Sequence, residues 1–429
     1  MPSSAPRKNR VAIVGGGPSG NTLATLLRAK GADVTVFSSG KRPNLIVGES
    51  VIPALVPIFQ KLGIEEEVAA ISQIKPGATI RYPNGEELFM NFRLLNGLAP
   101  TYAYNVPRPG FDEILDRRAQ DAGARRITAR AQLTKGTTPE REVELTPETI
   151  AQVPEWKGAH PDLIIDATGR ARSIAKLLDL PAAVGPRKDV ACFAHYEGFE
   201  AEAPEGLLLL SPLQPSGWSW RIPLPGRMSV GVVVNKEVAA IFGQTYEERL
   251  EAIIDSSADL RARGASRRRI SDVLVYTNYQ LISQRCHGPG WIAAGDAFGF
   301  VDPMLSSGLY LAMWSAGELS SVIPVHAGEA FDRPLARYAN SVRSMIEAWQ
   351  YLVDRFYDGT LFAAYTAGKR RASHPMQAWI APVVARHFTR MLAGMMCGAT
   401  TNQPYSRQLL RLLTTRGVDA KDVEQFAIG

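Results

Sequence analysis

Residues 15 to 20 read Gly15-Gly16-Gly17-Pro18-Ser19-Gly20, and the glycines at 15, 17 and 20 have the spacing that accepts a nucleotide pyrophosphate. The first glycine permits a tight turn, the second lets the backbone approach the phosphates, and the third packs helix on strand. The turn follows an apolar strand, Val11–Val14, and opens a helix expected to reach about Lys30. The positive end of that helix would face the phosphates. The acidic residue that usually ends the second strand and holds the adenosine ribose is missing. Ser38-Ser39 stand there instead, followed by Lys41 and Arg42. A hydroxyl bonds more weakly than a carboxylate, and the cations could favour a 2′-phosphate, so NADP competes as a ligand.

Three further segments decide between ligands. Asp162-Leu163-Ile164-Ile165-Asp166-Ala167-Thr168-Gly169-Arg170 is a strand running into a glycine turn. Val106-Pro107-Arg108-Pro109-Gly110-Phe111-Asp112 precedes a helix, and Gly290-Trp291-Ile292-Ala293-Ala294-Gly295-Asp296-Ala297 is again strand into glycine turn. Together with the first turn they resemble the FAD segments of flavoprotein hydroxylases. The resemblance implies that Asp296 binds the ribityl chain. It also implies that the next helix points its N-terminus at the pyrimidine edge of the isoalloxazine, where reduction accumulates negative charge. The implied FAD set is Gly15, Gly17, Pro18, Ser19, Gly20, Ser38, Glu49, Ser50, Arg108, Gly169, Gly295, Asp296, Pro303 and Gly308.

Three more segments are similar to those of flavin-dependent halogenases. Trp218-Ser219-Trp220-Arg221-Ile222-Pro223 matches the WxWxIP motif of that family. The resemblance implies that Trp218 and Trp220 wall the flavin off from the organic substrate. An activated ring in contact with the oxygen-activating flavin would be hydroxylated, whereas a wall passes only a small oxidant. Lys75, in Ile74-Lys75-Pro76-Gly77-Ala78 after Gly48-Glu49-Ser50, stands where halogenases carry their essential lysine. Its implied role is to hold hypohalous acid or to carry the halogen as a haloamine, which dry surroundings favour by freeing the amine lone pair. Asp302-Pro303-Met304-Leu305-Ser306-Ser307-Gly308 matches the segment that closes over the flavin and binds halide, with Ser306, Ser307 and Gly308 as the implied anion nest. A plain serine N-cap is compatible with the same residues. Tryptophan halogenases carry a glutamate where Leu305 stands, so a phenol, a pyrrole or another activated ring is expected rather than free tryptophan.

The implied chemistry uses reduced FAD from a separate flavin reductase, O2, and chloride or bromide. Hypohalous acid passes the tryptophans to Lys75, and an electron-rich carbon takes the halogen. Glu49, His195 and Tyr196 are the candidate ring bases. An NAD(P)H-dependent aromatic hydroxylase and a geranylgeranyl-reductase-like oxidoreductase share the layout and stay as alternatives.

Composition is that of an ordinary globular enzyme, 45% hydrophobic and 21% charged. No run reaches the roughly 18 apolar residues of a membrane span. The polar start, MPSSAPRKNR, has no apolar signal-peptide core, which reads as cytoplasmic. Cys192, Cys286 and Cys397 are isolated, and no histidines pair at metal-ligand spacing, so neither a disulfide framework nor a metal is expected. Residues 359–418 contain no Asp or Glu but carry Lys369, Arg370, Arg371, Arg386, Arg390, Arg407, Arg411 and Arg416. This is either a solvated basic face or a dock for something acidic. In the second case an acidic carrier protein bearing the substrate would dock on Arg370, Arg371 and Arg390. Nucleic acid is not expected, for no binding motif accompanies the charge. The apolar, basic stretch from Ala381 to Gly398 leaves membrane contact open.

The elements that must position these residues follow from periodicity. Asp33–Phe37 is a second strand, Pro53–Leu62 a helix ended by Gly63, and Ala78–Tyr82 with Glu87–Phe92 a hairpin about Asn84-Gly85. Phe111–Ala122 reads as helix, Leu163–Asp166 and Trp291–Ala294 as strands, Val190–Val234 as several antiparallel strands, and a long helix starts near Ser307. The expected fold is α/β. A Rossmann-like FAD-binding domain of the aromatic-hydroxylase (glutathione-reductase-like) type would be discontinuous over 1–78, 100–190 and 280–340. An interleaved antiparallel substrate sheet would take 79–99 and 191–279, and a helical C-terminal region 341–429.

Overall fold

The computed structural model describes residues 7–40, 45–82, 86–200, 208–213, 217–277, 280–328, 331–372, 381–416, 418 and 420–428. Its first layer is a six-stranded sheet ordered His287–Gly288, Trp291–Ala293, Leu163–Asp166, Arg10–Val14, Asp33–Phe37 and Arg125–Ile127. Every pairing is parallel except the edge hairpin of His287–Gly288 with Trp291–Ile292. Central strands covered on both faces read as apolar runs, as Val11–Val14 and Leu163–Ile165 do. The helix Pro18–Ala29 follows the first strand and packs on Gly308–Val322 and Arg108–Asp121. Phe111–Ala122 was expected to begin that last helix, but it begins at Arg108, because Pro107 takes the N-cap and Pro109 lies in its first turn. Pro53–Leu62 is a 3-10 turn and then the helix Val56–Leu62. Gly63 closes it in the left-handed region, at φ 70°.

The second layer is an eight-stranded sheet ordered Arg268–Arg269, Asp189–Glu197, Arg227–Asn235, Trp218–Leu224, Leu208–Pro212, Gly77–Arg81 and Glu87–Asn91, with Leu274–Thr277 also paired to Asp189–Glu197. It is antiparallel but for one junction: Leu208–Leu210 pair parallel with Ala78–Ile80. That junction joins the hairpin near Lys75 to the tryptophan strand. The Asn84-Gly85 turn lies outside the described residues.

Alternation decides what each face of this sheet covers. Ala191, Phe193, Trp218, Trp220, Ile222 and Val233 join the main core, while Val190, Cys192, Ala194, Tyr196, Val230 and Val232 form a second core. The second core is roofed by the helices Lys236–Ile241, Tyr246–Ser256 and Ala258–Arg263, within the stretch assigned to the substrate sheet. A sequence signal for one of them exists: Thr245 and Glu248 form a capping box. The helices Asp332–Tyr357, Thr360–Ala372, Ala381–Met396, Pro404–Arg416 and Ala420–Phe426 close the chain. Among the described residues no helix is long and apolar enough to cross a membrane.

Candidate functional site

Between the two layers lies a cleft of about 1020 Å³. Its floor is the glycine turn, and three of its glycines do different jobs. Gly15 has φ 117°, and a Cβ there would sit 2.2 Å from the Ala167 carbonyl oxygen. A Cβ on Gly20 would sit 2.0 Å from the Gly15 carbonyl oxygen, so the close packing of turn on helix requires glycine. A Cβ on Gly17 would meet no protein atom within 4 Å. That free space, beside the N-terminus of Pro18–Ala29, is what a pyrophosphate needs.

The other walls come from segments far apart in the chain. Pro18, Ser19, Ser38, Glu49, Ser50, Arg108, Gly169, Asp296, Pro303, Ser306 and Gly308 all face the cleft. Gly295, at φ 59°, stands beside the Ser19 side chain at the strand end that delivers Asp296. Burial pushes the Asp296 carboxyl up to about 6, although Arg170 and Arg108 work against it. A carboxylate so placed gains from a bound hydroxyl donor, and the ribityl chain of FAD supplies several. Arg108 is held by Asp112, 3.1 Å away, and by the Val47 carbonyl. Arg170 packs between the Tyr276 and Phe300 rings, each centroid 5.0 Å from the guanidinium carbon. Lys41 and Arg42, the cations behind the NADP alternative, lie outside the described residues. The glycine cradle, the buried carboxyl and the cleft volume fit FAD.

Trp218 and Trp220 lie on the face of their strand that looks into the cleft, buried, with ring centroids 5.6 Å apart. Phe193 adds a third ring 5.6 Å from Trp220, and Tyr276 stacks on Phe193. The Trp220 ring lies over Gly231, whose missing side chain makes room: a Cβ there would be 2.2 Å from the indole. Phe193, Tyr276 and Gly231 were not expected in the site. Phe193 could have been found from the i, i+2 alternation with His195, whereas Gly231 becomes meaningful only once strands are registered.

Lys75 is fully buried at the end of the short strand Gln73–Lys75. It does not line the flavin cleft; the cleft reaches Ser50, and Lys75 stands behind it. Its Nζ donates to Ser50 Oγ at 2.7 Å and to the Val51 carbonyl at 2.7 Å, with the Phe92 ring 5.5 Å away. Burial lowers the amine to about 7, against a small opposing effect of Cys397. A neutral amine has two N–H groups; both are committed here, so the lone pair is left for chemistry.

The segment expected to bind halide turns sharply into a helix. Asp302 caps the turn Pro303–Leu305, Ser306 adopts φ 55°, and the helix Gly308–Val322 begins. Ser307 is buried and is not the plain capping serine, since its side chain makes no cap bond and its Oγ has no partner among the described residues. Leu305 is buried beside it.

Of the three candidate bases, Glu49 and His195 form one pair: Glu49 Oε1 lies 2.7 Å from His195 Nε2, both buried, with Glu49 on the cleft. Tyr196 is removed from the site. Its ring points into the second core and its hydroxyl donates to Glu251, because it sits one residue from His195 on a strand. In the basic C-terminal stretch, Arg407 bonds Ser344 and Asn402, Arg411 packs on Tyr351, and Arg390 donates to the Asn96 carbonyl. The side chains of Arg370 and Arg371 lie outside the described residues. Among the described residues no cluster of metal-ligating side chains occurs.

The tryptophan halogenase family profile matches residues 10–94 and 93–380. A tryptophan 2-halogenase of Chondromyces crocatus is 31% identical over 368 residues, covering 82% of this chain and 68% of that protein. The flavin-dependent halogenase otaD of Aspergillus carbonarius is 28% identical, covering 77% of this chain and 70% of its own. In fold, the chain is similar to the myxobacterial chondrochloren halogenase CndH, at TM-score 0.71 and 23% identity over 98% of this chain and 99% of that one. With FAD as cofactor and halide as substrate, the chain belongs to the tryptophan halogenase family and is a flavin-dependent halogenase.

Proposed function

We propose that this halogenase acts on an electron-rich aromatic carbon of a phenol, pyrrole or similar ring, and that Lys75 presents the halogen. One observation carries the reading: a dry amine lowered to about 7, with both N–H groups tied to Ser50 and Val51, stands directly behind the cleft wall. Reduced FAD, supplied by a separate reductase, provides with O2 the two-electron oxidation of chloride or bromide to hypohalous acid.

The chain's own residues do the rest. Gly15, Gly17 and Gly20, with Pro18 and Ser19, would cradle the pyrophosphate; Ser38 would take the adenosine ribose and Asp296 the ribityl hydroxyls. Glu49, Ser50, Arg108, Gly169, Gly295 and Pro303 would shape the remainder of that site. Ser306, Ser307 and Gly308 would hold halide with backbone N–H groups at a helix N-terminus. Trp218 and Trp220 exclude the organic ring from the flavin and leave Ser50 and Lys75 as the way out for a small oxidant. Glu49, backed by His195, is placed to move protons at the cleft edge. Leu305, an apolar side chain where tryptophan halogenases place a glutamate, supports an activated ring over free tryptophan. The same reading assigns 1–78, 100–190 and 280–340 to FAD, 79–99 and 191–279 to the substrate sheet and 341–429 to a helical cover, which sheet membership supports.

The test is product mass spectrometry on a panel of phenols, pyrroles and indoles, with FAD, a flavin reductase, NADH, O2 and chloride or bromide. Halogenated phenol or pyrrole is expected, falling at least roughly a thousandfold in Lys75→Ala. Undiminished halogenation by Lys75→Ala, or free tryptophan as the preferred substrate, overturns the reading.

A further inference from the structure

One buried polar chain joins parts of the site that no motif connects. Trp218 Nε1–H donates to the Tyr357 hydroxyl at 2.7 Å, and the Tyr357 O–H donates to Asp302 Oδ2 at 3.0 Å. The other oxygen, Asp302 Oδ1, accepts the Met304 N–H at 3.0 Å and so fixes the turn that leads into Ser306, Ser307 and Gly308. Trp218, Tyr357 and Asp302 are all buried. The Arg187 guanidinium lies over the Tyr357 ring. The backbone closes the same knot: Ile428 N–H donates to the Tyr357 carbonyl, and Gly217 N–H to the Ile428 carbonyl, one residue before Trp218.

Trp220, the other indole, bonds Ser229 on its own sheet and takes no part. The two tryptophans are therefore held differently. Trp220 is fixed within the sheet, whereas Trp218 is fixed to the loop proposed to hold halide, through a residue at the last turn of Asp332–Tyr357. A buried indole N–H needs an acceptor and a buried carboxylate needs donors; the tyrosine hydroxyl serves both at once.

We propose that Tyr357 is a positioning residue that couples the indole wall to the anion loop, so that halide occupancy and closure of the wall are set together. This rests on the halide reading of residues 306–308. Tyr357→Phe keeps the ring under Arg187 and removes only the hydroxyl, leaving the Trp218 N–H without its acceptor and Asp302 Oδ2 without the tyrosine donor, while Oδ1 keeps the Met304 N–H.

The expected result is a halide KM raised roughly tenfold, with FAD affinity close to the parent's and a melting temperature a few degrees lower, since a buried N–H and a carboxylate oxygen each lose a partner. A larger share of NADH oxidation should end as hydrogen peroxide instead of halogenated product. Fluorine NMR of 5-fluorotryptophan-labelled protein supplies the second readout, with the Trp218 signal assigned by Trp218→Phe. Bromide should shift that signal in the parent and leave it unmoved in Tyr357→Phe. Asp302→Asn should give the same two signatures. The proposal is overturned if Tyr357→Phe keeps the parent's halide KM, or if bromide moves the Trp218 signal equally in both. Failure of the halide reading itself is distinct: the parent would then show no bromide-dependent shift and no halide saturation.

Discussion

The flavin cleft and the lysine chamber meet at Ser50 but are built by opposite means. The nucleotide end of the cleft is made of backbone: glycines at 15, 17 and 169 and a helix N-terminus, with Gly20 and Gly295 packed closely behind them. It is open, because its occupant brings its own surface. The chamber around Lys75 is made of side chains: Ser50, Phe92 and, across it, Cys397 with its sulfur 3.4 Å from that of Met90. It is closed and dry, and that burial is what lowers the amine. The lesson is that a site that binds can be written in local backbone geometry, while a site that tunes reactivity must be assembled from several segments.

The contrast can be attacked first at the lysine. The folded protein holds the Lys75 amine at about 7 against the usual 10.5. Between those values the unfolded chain binds a proton that the folded chain lacks, so the parent gains stability as pH rises. Lys75→Met has no such group. It should therefore be the more stable protein at pH 7, with its advantage shrinking by roughly 1.4 kcal/mol per pH unit toward pH 10.5. Urea unfolding of both proteins across pH 7–10 measures this. Parallel stability curves would mean that the amine is solvated, and the difference between the two regions would vanish.

A smaller effect separates the glycines within the cleft. Gly20→Ala drives a Cβ into the Gly15 carbonyl and should cost about 1–3 kcal/mol in the protein without cofactor. Gly17→Ala meets no protein atom, so its apoprotein should melt as the parent does while FAD affinity falls. Thermal melts with and without FAD distinguish them; an unchanged FAD affinity in Gly17→Ala would remove the phosphate from that turn. The smallest change tests the wall between the regions. Gly231→Ala pushes the Trp220 indole off its seat, and the expected readout is a few-fold loss of halogenated product per NADH, with the fold intact. Equal coupling in parent and variant would show that the position of Trp220 does not matter.

How much of this was readable in the chain depends on range. Asp33–Phe37 and Leu163–Asp166 were legible to the residue, since strands buried on both faces leave short runs dominated by Val, Ile, Leu and Phe. Of the helices at 236–263, only Tyr246–Ser256 carried a clear local start signal, its capping box; the other two are six residues each, too short for periodicity to mark. Lys75 was found only through a family resemblance; its local sequence is equally that of a surface turn. Its burial comes from Phe92 and Cys397, one near and one over three hundred residues away. Tyr196 and His195 looked equivalent as bases until strand register sent one to each face.

By itself, then, the order of residues determined the nucleotide turn and the α/β class, because φ, helix polarity and apolar alternation are short-range properties, while the family of chemistry was legible through the resemblance of its motifs. Tertiary structure alone decided which side chains lose water and which polar atoms find partners. It buried the Lys75 amine and lowered it to about 7, paired Glu49 with His195, and tied Trp218 through Tyr357 to Asp302. Desolvation and hydrogen bonding at these points depend on neighbours that only folding brings into reach.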